Sequence, residues 1–232
     1  FEKILSIWRR KNPLQNMTSE FEMMLINAEW MFIAAIDVFT GKINGEDVKD
    51  DIYIRDIKIN KTERLIRRQI ITHLSINPDM DVPACLVFMS VVKDAERIGD
   101  YCKNIFQMVE KLKYGKKMFK DKYFDKLITL SNEIKLNLER TKEAFAEENE
   151  EKALKVVGES MSTGKRCDSI IESLLLDKLD IDSNRAVAYA LLARHFKRID
   201  SHLSNISTTV VAPVDRIDFP RKIKTKLEKN NA

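Results

Sequence analysis

Glu96 and Asp100 stand four residues apart in the run Asp94-Ala95-Glu96-Arg97-Ile98-Gly99-Asp100. On a helix that spacing sends both carboxylates to one side, a turn apart, where like charges repel unless a cation lies near them. An earlier stretch adds two more acids. Its apolar seam reads Ile52, Asp56, Ile59, Glu63, Ile66 and Ile70, so Asp56 and Glu63 occupy positions where the helical period calls for buried side chains. Asp56, Asn60, Glu63 and Arg67 line one face of the same helix. A buried carboxylate needs a cation, a metal ion or several hydrogen-bond donors. Paired oxygen ligands from two facing helices can hold one or two hard or borderline metal ions. Arg64, Arg67, Arg68 or Arg97 can neutralise the same acids in a salt-bridge network, and these residues alone leave the two outcomes open.

Other chemistries are excluded or weak. No two glycines lie two apart, and no Gly-Lys-Ser or Gly-Lys-Thr occurs, which removes the phosphate-cradling loops. His73, His195 and His202 do not form a zinc-binding pair with a neighbouring Glu and read as hydrogen-bonded bundle histidines. A Ser/His/Asp constellation is not excluded by spacing, but helical bundles seldom supply its oxyanion donors. Cys85, Cys102 and Cys167 lie in apolar-periodic segments with no Cys-x-x-Cys pair, as reduced core residues of a cytosolic protein would.

The elements that carry these residues are duplicated. Ala95–Ile105 and Phe196–Ile206 share Arg97/Arg198, Ile98/Ile199, Asn104/Asn205 and Ile105/Ile206 at an offset of 101. Around the first copy, Val91, Ala95, Ile98, Cys102, Ile105, Val109 and Leu112 alternate steps of four and three; around the second, Leu192, Phe196, Ile199, Leu203, Ile206 and Val210 keep that seam. Three long helices per half are predicted: 16–40, 47–75 and 81–114, then 118–147, 150–179 and 183–212. Gly41–Gly45, Asn77-Pro78-Asp79, Glu147-Glu148-Asn149 and Asp180–Ser183 supply breaks and caps. The expected fold is all-α, two tandem antiparallel three-helix bundles. The expected division is 1–115, with an extension over 1–15, then 116–213, with a boundary near Tyr114–Lys117 and a tail over 214–232 that starts past the helix-ending Pro213.

With 232 residues, each half is long enough to bury its own core. Six glycines and five prolines are few for this length, and a third of the residues are charged. The longest apolar run, Ala84–Met89 extended by Val91 and Val92, falls short of the ~20 residues of a membrane helix, so a soluble protein is expected. Phe1–Trp8 is amphipathic with Arg9-Arg10-Lys11 following it, unlike a signal peptide, and the absence of an initiator Met is expected to reflect processing, trimming or omission. A net charge of +4 leaves no nucleic-acid footprint. The basic clusters at 9–11, 111–122 and 221–229 read as solvated faces or as docking sites for an acidic membrane or partner.

Asp94–Asp100 followed by Asn104-Ile105 resembles the Glu-Arg-Ile-Gly-Asp motif of PhoU-like phosphate-transport regulators, and Asp56–Glu63 is similar to that family's second-helix acidic face. The resemblance extends from about Asn16 to Ala212 as two tandem repeats. It implies a cytoplasmic, commonly dimeric regulator, without turnover of its own, that communicates between a phosphate transporter and a sensor histidine kinase at the inner face of the membrane. It also implies metal (Fe, Zn, Mn or Mg) at Glu96, Asp100, Asp56 and Glu63, with Asn60 a weaker ligand. The aligned second-half positions are Ser160, Gly164, Lys197 and Ser201, and Lys197 opposes a bound cation directly, so no metal is expected there. A metal-dependent hydrolase using the carboxylate site and a purely structural helical adaptor are the alternatives.

Overall fold

The computed structural model describes residues 12–79, 81–112, 121–176, 181–212 and 217. Six helices run through them: α1 (Asn12–Phe39), α2 (Gly45–Ile76), α3 (Val82–Leu112), α4 (Lys122–Glu147), α5 (Glu150–Leu176) and α6 (Ser183–Val211). No strand occurs among the described residues. The fold is all-α, as the two periodic seams require. The boundary near Tyr114–Lys117, Pro213, the cluster Arg9–Lys11, the cluster Arg221–Lys229 and the tail apart from Ile217 lie outside the described residues, as do residues 113–120 of the 111–122 cluster.

Helix α1 begins at Asn12, four residues before the expected start, because the apolar period already runs from Leu14, which is fully buried, through Met17 and Phe21. Pro13 falls in the first turn, where its missing N–H costs no helical bond. Gly41, at φ 73°, ends the segment after α1 in a left-handed conformation that a side chain would strain. Asp81, rather than Asn77-Pro78-Asp79, directly precedes α3, with its carbonyl accepting the Cys85 N–H at 2.9 Å. In the second half Asn149 accepts the Lys152 N–H at 3.0 Å, and Asp182 accepts the Arg185 N–H at 3.0 Å. The expected start of α4 at Met118 falls on residues outside the description. Asp121 caps that helix by accepting from Tyr123 and Phe124 N–H groups.

Helices α1–α3 pack on one another, and so do α4–α6; the two sets then meet through α1 against α4 and α3 against α6. The core is continuous across that junction. Phe21 meets Phe145 at 4.6 Å between ring centroids, Phe39 meets Phe124 at 5.4 Å, and Phe32 meets Phe196 at 5.8 Å. Each such pair joins the first half to the second.

The α3–α6 seam is close to two-fold symmetric. His202 Nδ1 lies 2.6 Å from Asp94 Oδ1, and the contact related by the 101-residue offset is Tyr101 against His195, with ring centroids 5.7 Å apart. Between them Tyr101 and His202, themselves related by that offset, stack at 5.8 Å. Arg198 Nη1 donates to the Tyr101 hydroxyl at 2.8 Å. His73 and His202 are partnered as expected, by Asp81 at 3.2 Å and by Asp94. His195 differs: its Nδ1 is buried with no hydrogen bond, and burial holds its pKa below the ordinary value.

Candidate functional site

The inward face of α2 is Ile52, Asp56, Ile59, Glu63, Ile66, Ile70 and His73, all buried. The sequence seam is therefore the packing seam, acids included. Gly99 lets α3 come close enough to close over it. A Cβ added there would sit 2.9 Å from Ile59 Cδ1, so the glycine of the motif serves the approach of the two helices.

That approach sets α2 acids opposite α3 acids in two tiers, each spanned by a lysine. In the first tier Lys103 Nζ lies 2.8 Å from both Asp56 oxygens and 3.2 Å from Asp100 Oδ1. Burial lowers the Lys103 pKa, but hydrogen bonds and charge from Asp56 and Asp100 outweigh it and hold the ammonium above its ordinary value. In the second tier Lys93 Nζ lies 2.8 Å from Glu96 Oε2 and 3.7 Å from Glu63 Oε1. Arg67 Nη2 approaches Glu63 Oε1 at 3.0 Å, while Arg97 reaches Glu96 at 3.7 Å and Asp100 at 3.5 Å. Asn60 turns away from the carboxylates and donates to the Asp56 backbone carbonyl at 2.9 Å.

Four carboxylates thus meet four cations, and the face is formally neutral. Arg67 and Arg97 were among the cations anticipated from sequence; Lys93 and Lys103 do the bridging. Among the described residues no three His, Cys, Asp or Glu side chains converge on one point. As arranged, the donor set is taken up by ion pairs, and a divalent cation at either tier would have to displace an ammonium. One atom departs from this balance. Glu63 Oε1 is buried and accepts no hydrogen bond, because the Arg67 contact is not aligned as one.

The second half resolves the same positions differently. Lys197, in the place of Glu96, directs its Nζ to Asp168 at 2.8 and 2.6 Å on an exposed surface. Its stem passes Gly164, with Cε 3.8 Å from where a Cβ would stand. Ser201 is exposed. Cys167 is buried, its thiol pushed up to about 12 chiefly by burial. The residue sequence reasoning undervalued is Asp200, which stands where the first half has Gly99. It is 1% exposed, accepts from Asn137 Nδ2 at 3.0 Å, faces the Ser160 hydroxyl, and leaves Oδ2 without a hydrogen bond. Burial raises its pKa, only partly opposed by Ser160 and Asn137. The offset that pairs it with Gly99 was the available signal.

Residues 21–109 match the family model described as PhoU domain. The first half is similar to a PhoU domain. Its span takes in the whole two-tier face. The chain is also similar in fold to the crystal structure of PhoU from Pseudomonas aeruginosa, with TM-score 0.74 and 18% identity, covering 86% of this chain and 95% of that one. The phosphate transport system regulatory protein PhoU from Streptococcus pneumoniae aligns with TM-score 0.68 and 17% identity, again over 86% and 95%. At these identities the likeness is one of fold, and it extends the PhoU architecture over both halves. No curated protein matches the chain.

Proposed function

We propose that this protein regulates phosphate transport by binding partner proteins in the cytoplasm, without turnover of its own. The single observation that supports the reading is the likeness to a PhoU domain over residues 21–109, set in a six-helix fold like that of a phosphate transport system regulatory protein. The partners proposed are components of a phosphate transporter or a sensor histidine kinase, engaged in a phosphate-dependent way by a homodimer. The α2–α3 face would serve as a rigid, internally neutralised platform. Its test is co-purification of the tagged protein with a transporter ATPase or sensor kinase from cells grown at high and low phosphate. Recovery of either partner under one condition only is expected, and recovery of neither overturns the reading.

A second reading keeps a metal (Fe, Zn, Mn or Mg) on Asp56, Glu63, Glu96 and Asp100, with Asn60 nearby. Buried Glu63 Oε1, without a hydrogen bond, is the observation that favours it. Elemental analysis of the protein after exposure to each ion, wild type against Glu96→Ala/Asp100→Ala, decides between the readings. Stoichiometric metal lost in the variant supports the second, and metal-free wild type supports lysine as the permanent bridge.

A further inference from the structure

Helix α2 carries a second pattern on its outer side. Ile54, Ile57, Lys58, Lys61, Arg64, Leu65, Arg68, Ile71 and Ile76 recur at helical spacing on the flank opposite the buried seam, and all are exposed. The aliphatic members are far from incidental: Ile57 is 51% exposed, Ile71 61% and Ile76 72%. Beyond Asp51 the only acids of α2 are Asp56 and Glu63, and both point inward to the lysine tiers. Lys58, Lys61, Arg64 and Arg68 form no ion pair with a described residue; Arg64 Nε donates only to the Asn60 carbonyl, at 3.1 Å. Exposed acids of the helix, Glu46, Asp47, Asp50 and Asp51, are confined to its first two turns, where the helix dipole favours them.

The counterpart helix controls for the scaffold. The outer side of α5 exposes Glu151, Lys155, Glu159, Lys165, Arg166, Asp168 and Glu172, both signs interleaved. Lys155 pairs with Glu151, Arg166 with Glu133, and Asp168 with Lys197. An ordinary solvated flank of this fold is therefore mixed and paired, and the α2 flank is neither.

We propose that the outer flank of α2 docks on an anionic lipid surface. Lys58, Lys61, Arg64 and Arg68 would meet the phosphate and carboxylate headgroups, with Ile54, Ile57, Leu65 and Ile71 settling at the headgroup–acyl boundary. Cations interleaved with aliphatic side chains are what a planar charged layer over hydrocarbon rewards. A protein partner fits less well: binding interfaces gather aromatic residues and exclude lysine from their centres, whereas this flank has no aromatic side chain and two central lysines. The stripe runs for about 33 Å along a convex helix, which suits a flat surface. No helix among the described residues is long and apolar enough to cross a membrane, so the contact would be peripheral. The proposal stands apart from the regulatory reading, and either can fail while the other holds.

Co-sedimentation with vesicles of phosphatidylcholine alone or mixed with phosphatidylserine tests it. Wild-type protein is expected to sediment with the anionic vesicles only, and to come off as salt is raised. Lys58→Glu/Lys61→Glu/Arg64→Glu should weaken binding at least about tenfold, and Ile57→Ser/Leu65→Ser should weaken it at low salt as well. Lys155→Glu/Lys165→Glu on α5 should leave it unchanged. Circular dichroism melts verify that each surface variant is folded. Absence of vesicle binding, equal binding to neutral vesicles, or an undiminished α2 variant overturns the proposal. So does sedimentation equilibrium in which the α2 variants dissolve a dimer while vesicles have no effect, since the flank would then belong to a second copy of the chain.

Discussion

Glu96 in α3 and Lys197 in α6 occupy the same turn of homologous helices, and the protein settles their charges in opposite ways. In the first half two carboxylates per tier face each other across a buried seam and a lysine is drawn in to span them. In the second half a lysine itself holds the position, and it reaches outward to an exposed Asp168. One duplicated scaffold thus holds a buried ion network on one side and an ordinary surface pair on the other. The difference teaches that depth, more than the number of charges, decides what such a pair contributes.

The sharpest way to break this comparison is to remove each lysine in turn. Lys103→Met leaves Asp56 and Asp100 without their shared cation and is expected to cost about 2–3 kcal/mol by urea unfolding, somewhat below a fully buried pair because the site is partly open. Lys197→Met is expected to cost under about 0.5 kcal/mol. Equal losses would show that the two faces are energetically alike. If added Mg or Mn restores the Lys103→Met variant, the same measurement speaks for the metal reading.

Asp200 sharpens the comparison from the other side, being, among the described residues, the one acid that the second half buries with an oxygen unpartnered. Its pKa is raised on folding, so the folded state prefers the protonated form. The stability this contributes is full below the ordinary aspartate pKa and is lost as pH rises through the shifted value. Asp200→Asn should therefore gain on wild type steadily as pH climbs from about 4, reaching roughly 1–3 kcal/mol once the wild-type carboxyl is ionised. A pH-independent difference in thermal melts would remove burial as the cause.

The smallest effects have opposite signs. Gly164→Ala meets nothing nearer than the Lys197 stem and should stabilise by ~0.5–1 kcal/mol through helix propensity. Gly99→Ala must push Ile59 aside and should lose about 1 kcal/mol despite the same propensity gain. Matching signs in a denaturant titration would mean that Gly99 is not what lets α2 approach α3.

Much of this was legible in the chain. The seam from Ile52 to Ile70 could be read to the residue, because a buried helix face leaves a period that a few charged side chains do not erase. The helix ends were read within a few residues. Which cation would bridge the two helices was only half legible: Lys93 and Lys103 stand three residues from Glu96 and Asp100, a spacing that makes helix neighbours, but their reach across to Glu63 and Asp56 on α2 leaves no mark in the period. Asp200 escaped for a related reason. Its charge argues for the surface, whereas its place in the seam of Gly99 makes it an interior residue.

The aromatic pairs that join the halves bear on how the molecule comes apart. Phe21, Phe32 and Phe39 are finished surfaces only when Phe145, Phe196 and Phe124 cover them. Loss of order in one half would bare large rings of the other to water, a penalty of several kcal/mol. Heat should therefore melt the described bundle in one calorimetric step, and a fragment ending after α3 should clump instead of standing free in solution.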